Sequence, residues 1–248
     1  MTDLPAAGPG EDAGDLLVMV PTRGRRAQCE RLLGSFRETA SEGTGILFIL
    51  DDDDEGTYAG VDWGDALHAV LAPRGTLREK LNQTADAVAD QYDALVWTGD
   101  DHVFRTRFWD RLMLAALEDM GGHGWVFPDT VRRRDVPEIW MCDTALVRHL
   151  GWFFPPAVNQ YYADNIIGEA GKRAGLIRFC PEAVIEHLHY SVDPDMEHDA
   201  TYAEAENAYG QADLKAFNQW RADHLAFEVA ILRRKYSRDV SWVLSRVA

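Results

Sequence analysis

Cysteine is scarce in this 248-residue chain: Cys29, Cys142 and Cys180 stand far apart, with no Cys-x-x-Cys pair. That argues against a disulfide framework and a thiolate zinc site, and fits free thiols in a reducing, cytoplasmic compartment. Long apolar runs are absent too, since no stretch approaches the roughly 18 residues of a membrane span. The first 14 residues are rich in Pro, Gly, Ala and acids and lack the basic start and apolar centre of a signal peptide, so a flexible leader is expected there. Positive charge is in short supply: 25 Lys and Arg face 41 Asp and Glu, for a net charge of −16. Such a surface disfavours sequence-independent adhesion to nucleic acid or anionic membrane, while leaving room for a local basic groove. Internal repeats and low-complexity linkers are missing. So are GxGxxG and GxxxxGK(S/T), which removes a dinucleotide fingerprint and a P-loop.

What is present reads as one α/β domain with a helical tail. Leu16 to Val20 and Ile46 to Leu50 are continuous apolar runs, as strands buried on both faces require. Between them Cys29, Leu32, Leu33 and Phe36 recur at helical spacing. Ala69 to Ala72 reads as a short third strand closed by Pro73. A helix from Thr76 carries Leu77, Leu81, Ala85 and Val88 on one face and leads into a strand at Ala94 to Trp97. A further helix is expected with Phe108, Leu112, Ala115 and Ala116 on its inner face. Strands are then expected at 124–127 and 138–142, separated by the basic triplet Arg132 to Arg134, with a helix near 164–174. Two more strands, 177–180 and 184–189, precede a helical stretch from Thr201 to about Tyr236. The expected divisions are 15–104 as a nucleotide-binding half, 105–200 as an acceptor and metal half, and 201–248 as a helical extension. The aromatics Phe217, Trp220 and Phe227 of that extension are expected to pack on the domain, with a homodimer as the alternative.

The polar residues cluster at strand ends. Pro21-Thr22-Arg23, Asp51-Asp52 and Asp100-Asp101 each follow an apolar run, so three strand ends converge on one edge, where open α/β sheets collect ligands. Adjacent buried carboxylates are costly without a positive partner, and a hard divalent cation on Asp101 is the natural one. In a strand, residues i and i+2 share a face, so His187 and His189 are expected to look into one cleft. Carboxylate and imidazole without thiolate suit Mn²⁺ or Mg²⁺ better than zinc. His198 and Asp199, next in sequence, are expected on a loop able to close over a phosphate. Asp164 opens the later helix, either as an N-cap or as a general base facing a substrate hydroxyl.

The order of these motifs resembles that of the GT-A fold nucleotide-sugar glycosyltransferases, in the family-2-like branch, over about Leu17 to His189. Val-Pro-Thr-Arg ends the first strand, Asp-Asp ends the second, and a helix with Arg78-Glu-Lys-Leu-Asn82 precedes a strand ending in Asp100-Asp101. Asp164 follows Gly151-Trp-Phe, and the histidine strand closes the domain. The resemblance implies a Rossmann-like mixed sheet flanked by helices. It implies a nucleoside pocket at Pro21, Thr22, Arg23, Asp51 or Asp52, and Asn82, with Asp100 near the ribose and Asp101 on the metal as a DxD-like motif. It also implies Asp164 as the base of an inverting transfer of a hexosyl or pentosyl unit from a nucleoside-diphosphate sugar, most naturally a UDP-sugar, to an acceptor hydroxyl. Gly99 stands where many members have the first Asp, and Ala163 where many have Glu. If Asp164 is only a cap, a retaining reaction without that base follows instead. Two other readings stay open: a nucleotidyltransferase, for which Thr22 to Arg26 is a thin basic phosphate loop, and a non-catalytic nucleotide- or sugar-binding scaffold.

Overall fold

The computed structural model describes residues 14–71, 74–191 and 198–236. The expected leader lies outside the described residues except for Gly14, where the first strand already begins, and Pro73 lies outside them too. The strands are β1 (Gly14–Pro21), β2 (Thr44–Asp51), β3 (Leu67–Leu71), β4 (Tyr92–Trp97), β5 (His102–Phe104), β6 (Trp125–Asp129), β7 (Trp140–Asp143) and β8 (Ile177–His187). They form one mixed sheet in the order β3-β2-β1-β4-β7-β6-β8-β5. The first four are parallel neighbours, β7 runs antiparallel to β4 and β6, and β5 pairs antiparallel with β8.

Strand alternation divides the core into two layers. Leu17, Met19, Leu47, Ile49 and Leu95 face one apolar cluster, while Leu16, Val18, Phe48, Leu50 and Val96 face the other. Helices α1 (Arg26–Thr39) and α3 (Trp109–Asp119) cover the second layer. Helices α2 (Leu77–Val88), α4 (Thr144–Leu150) and α5 (Ala163–Ala174) cover the first. Helix α1 buries Cys29, Leu32, Leu33 and Phe36, as its periodicity requires. Thr76 and Glu79 form a reciprocal capping box that starts α2.

Several features depart from the sequence reading, among them β5, which has no counterpart in it. The inner face of α3 is Trp109, Met113, Ala116 and Leu117, while Phe108 is 47% exposed. Phe108 adopts a left-handed backbone (φ 61°) ahead of the helix, which turns its ring outward and sends Trp109 in. The two strands expected at 177–189 are one strand, β8, with a register irregularity opposite Pro128 and Asp129, and it ends at His187. Helix α4 has no counterpart in the sequence reading. It is seven residues long, capped by the Asp143 carboxylate on Leu146 N–H (2.8 Å) and ended by Gly151 in the left-handed region (φ 73°) that favours glycine.

The tail forms α6 (Ala200–Asp223) and α7 (Leu225–Tyr236). Phe217, Trp220, Leu225, Val229 and Leu232 belong to the same apolar cluster as Trp140 and Ile166. At about 1.5–3 kcal/mol per buried side chain, this packing holds α7 against α5 and α6 against α7, although Phe227 stays 67% exposed. Among the described residues no helix is long and apolar enough to cross a membrane.

Candidate active site

A cavity of about 860 Å³ opens over the carboxyl ends of β1, β2 and β4, with the first half of α6 as its far wall. At one end lies Asp51, fully buried. Lys80 Nζ meets one of its oxygens at 2.7 Å and Arg23 meets the other at 3.1 Å. Arg23 also forks onto Asp53 at 2.5 and 2.9 Å, and the Gly24 N–H donates to Asp54 at 2.6 Å. Asp53 and Asp54 therefore brace the turn after β1, whereas Asp52 is exposed and does not line the cavity. The Thr22 hydroxyl donates to Asp100 at 2.7 Å and lies 2.8 Å from the Tyr58 hydroxyl. Pro21 completes this rim.

Asn82 sits apart from the cavity lining, and its amide is engaged elsewhere. Its oxygen accepts from the N–H groups of Phe153 and Phe154, both at 2.8 Å, and its nitrogen donates to the Phe154 carbonyl at 2.9 Å. It positions Phe154, which does line the cavity. Replacing Asn82 by alanine orphans two backbone donors, at a cost on the order of 2–4 kcal/mol. The expected result is a melting point lower by roughly 5–15 °C with nucleotide affinity unchanged, checked by thermal unfolding and calorimetric titration.

The acidic pair lies at the centre. Asp100 and Asp101 are 4% and 6% exposed. Burial raises Asp100, an effect tempered by Arg25 at 3.0 Å and reinforced by the charge of Asp101. Burial alone would raise Asp101 as well, yet His102 (2.9 Å) and His187 (3.5 Å) hold it well below the usual carboxylate range. His187 stands between Asp101 and Glu138. Burial alone would lower it, but the two carboxylates lift it to about 9. Glu138, itself buried, is pulled down to about 2 by His187, Thr130 and Arg132. His102 is lowered by burial and by the charge of His187, onto whose ring it stacks at 4.2 Å.

Cross-strand pairing places His102 directly opposite His187. Donor atoms of Asp101, His102 and His187 all lie within 4.8 Å of one another. Nε2 of the buried His102 has no hydrogen-bond partner, while Nδ1 of His187 faces Glu138 at 3.5 Å and leaves its Nε2 toward Asp101. Polar atoms buried without partners are uncommon, and an oxygen-and-imidazole donor set suits Mn²⁺ and related cations. The residues fit a divalent cation. Gly99 fits the same picture: a Cβ there would meet Asp101 Oδ1 at 2.6 Å and His102 Nδ1 at 3.2 Å, so a larger residue would displace the cluster.

His189 is placed differently from the strand-alternation argument, because β8 ends two residues before it. Its ring lies edge-on to His187 at 5.0 Å and its Nδ1 is 2.8 Å from the Ser191 hydroxyl. It still lines the cavity, lowered to about 4 by burial and by the charges of Arg132 and His187.

Asp164 lines the cavity from the first turn of α5. The N-cap position belongs to Tyr162, in the left-handed region at φ 67° and without a side-chain cap, so Asp164 is not the cap. Its carboxylate accepts only from the Asn165 N–H (2.8 Å) among the described bonds. Burial raises it, with Glu138 adding to the rise and the Asn165 N–H and Arg133 opposing it. A carboxylate raised in this way is a competent proton acceptor near neutral pH.

Besides Lys80, His102 and Glu138, two more residues escaped sequence reasoning. Arg25, 7% exposed, forks onto Asp199 at 2.7 and 2.9 Å, reaches Asp100, and stacks over Tyr202 at 4.2 Å. The Tyr202 hydroxyl donates to Asp101.

No family model matches the chain, and no curated protein matches it significantly. Solved structures do resemble it. Against S. aureus TarS the TM-score is 0.56 at 12% identity, over 69% of this chain and 36% of TarS, so the chain spans little more than a third of that protein. Against the mannosyltransferase PcManGT from Pyrobaculum calidifontis, in complex with GDP-Man and Mn²⁺, it is 0.53 at 15% identity, over 96% and 82%. Against glucosyl-3-phosphoglycerate synthase from Mycobacterium tuberculosis, in complex with Mn²⁺, UDP and glucosyl-3-phosphoglycerate, it is 0.58 at 12% identity, over 81% and 78%. A 4-diphosphocytidyl-2C-methyl-D-erythritol synthase from Anaerococcus prevotii aligns at 0.50 and 13% identity, over 79% and 96%. At these identities the likeness shows the fold, and that fold is GT-A.

Proposed function

We propose that this protein is a metal-dependent glycosyltransferase that moves a hexosyl or pentosyl unit from a nucleoside-diphosphate sugar to an acceptor hydroxyl with inversion. The observation that carries the reading is the meeting, in one cavity, of the Asp101, His102 and His187 cluster with a separate raised carboxylate, Asp164. Mn²⁺ with GDP-Man or UDP in the structural neighbours supports a divalent cation, Mn²⁺ or Mg²⁺, and a nucleotide donor, a UDP-sugar first among them.

Each residue then has a task. Asp51, buried and paired with Lys80 and Arg23, anchors those two cations at the β2 end of the nucleotide pocket. Thr22 orients Asp100 on the ribose side. Asp101 and His187, with His102 behind them, hold the cation, and His189 flanks it. What the cation supplies there is neutralisation of the charge that gathers on the departing diphosphate. Asp164 accepts the proton of the acceptor hydroxyl as the hydroxyl oxygen attacks the anomeric carbon in line, opposite the diphosphate.

The nucleotidyltransferase reading needs free basic groups after β1 for a triphosphate. Arg23, Arg25 and Arg26 are instead tied to Asp51 and Asp53, to Asp100 and Asp199, and to Glu30. Thermal unfolding with UDP, GDP, ADP, CDP and TDP, each with and without Mn²⁺, tests the proposal. A ligand at ~100 times its Kd adds about 2.7 kcal/mol, or roughly 5–10 °C. One diphosphate is expected to give such a shift only with the cation. No shift with any diphosphate would overturn the reading.

A further inference from the structure

The first turn of α6 lies across the cavity and is tied down at several points. Asp199 caps it, accepting from the Tyr202 N–H at 3.0 Å while gripping Arg25. Thr201 donates to the Arg23 carbonyl at 3.2 Å, and Glu204 pairs with Arg74 at 2.8 Å. Tyr202 reaches deepest. Its ring lies against the Arg25 guanidinium, and its hydroxyl donates to Oδ2 of Asp101. That is the oxygen nearest His187 Nε2, at 3.5 Å, and Arg25 Nη1 is 3.7 Å from it. The carboxylate oxygen best placed to share a cation with His187 is therefore already engaged, by a phenol and a guanidinium.

We propose that Tyr202 is a latch on the cation site: it occupies the ligand position on Asp101, so that loading the site and releasing the first turn of α6 are one event. The inference rests on the reading of Asp101 as a cation ligand. A hard cation bound by few protein groups makes short, geometrically demanding contacts to carboxylate oxygen. A hydroxyl hydrogen aimed at that oxygen competes for the same lone pairs, and a guanidinium beside it repels a second positive charge. The turn that carries Tyr202 also carries Thr201 and Glu204, so displacing the hydroxyl pulls on the ties to Arg23 and Arg74. A tyrosine that merely orients Asp101 for the cation would give the opposite sign, which makes the latch testable.

The test titrates Mn²⁺ alone, with free ion read by electron paramagnetic resonance, into wild type, Tyr202→Phe and Asp101→Asn. Hydrogen exchange is followed over residues 200–206 with and without the ion. Phenylalanine keeps the ring against Arg25 and removes only the hydroxyl. A hydrogen bond to a charged acceptor no longer has to be broken, so Tyr202→Phe is expected to bind Mn²⁺ at least about 10-fold more tightly. Mn²⁺ is expected to speed exchange over 200–206 in wild type, and Tyr202→Phe to show the faster exchange before any ion is added. Glu204→Gln, which frees the same turn from Arg74 without touching Asp101, is expected to shift affinity in the same direction by a smaller factor. Equal or weaker binding in Tyr202→Phe, with wild type still binding, would overturn the latch and leave the cation reading standing. No binding by wild type or Tyr202→Phe would overturn both.

Discussion

Asp101→Asn is expected to abolish cation-dependent nucleotide binding and to lower sugar transfer by at least 10³-fold, about 4 kcal/mol of transition-state stabilisation. The asparagine side chain has the same shape and can still accept from Tyr202, so the fold loses little. Removing one charge from the buried pair relieves its repulsion of Asp100, which keeps Arg25 at 3.0 Å and the Thr22 hydroxyl at 2.7 Å. What disappears is the anionic donor between His102 and His187. The measurement is initial rate against Mn²⁺ concentration, beside a melting curve without ligand. A folded Asp101→Asn protein that transfers sugar at the wild-type rate would place the cation, if any, elsewhere.

The second large effect concerns Asp164. In Asp164→Asn, kcat is expected to fall 10²- to 10⁴-fold while donor affinity stays within about twofold. The amide oxygen can still accept the Asn165 N–H, so the start of α5 is preserved and only the proton acceptor is lost. The pH profile gives an independent check. A base works deprotonated, so kcat should rise as pH climbs through the Asp164 pKa, which burial places above the ordinary aspartate value. That acid limb should vanish in the asparagine variant. An unchanged kcat would remove Asp164 from the chemistry and favour a retaining transfer. Donor binding that survives with no turnover in wild type, under any acceptor, would favour a non-catalytic scaffold.

Much of this site was legible as strand ends. The unbroken apolar runs at Leu16 to Val20, Ile46 to Leu50 and Ala94 to Trp97 could only be strands covered on both faces. The polar residues that stop them had to share an edge, and Pro21, Thr22, Arg23, Asp51 and Asp100 line one cavity. The contacts that tune the site were not legible, because they join residues far apart in sequence. Arg25 reaches Asp199 across 174 positions, and Tyr202 reaches Asp101 across 101. Lys80 carries no signal of its own in the sequence, yet its side chain is 9% exposed and neutralises Asp51. His102 was hidden for a different reason: only antiparallel pairing of β5 with β8 brings it opposite His187. Asn82 was read through its position before the central strand, whereas its amide is spent on the turn at Phe153 and Phe154. The α3 face was misread by one residue, because a single left-handed backbone at Phe108 cannot be seen in apolar spacing.

The most direct test is a donor-turnover assay: nucleoside-diphosphate sugars are incubated singly with the protein and Mn²⁺, and the released nucleotide is quantified with water as the fallback acceptor. The account predicts slow release of one nucleoside diphosphate, dependent on the cation and lost in Asp101→Asn. Release of pyrophosphate from a nucleoside triphosphate and a sugar phosphate, with no diphosphate from any sugar donor, would contradict it.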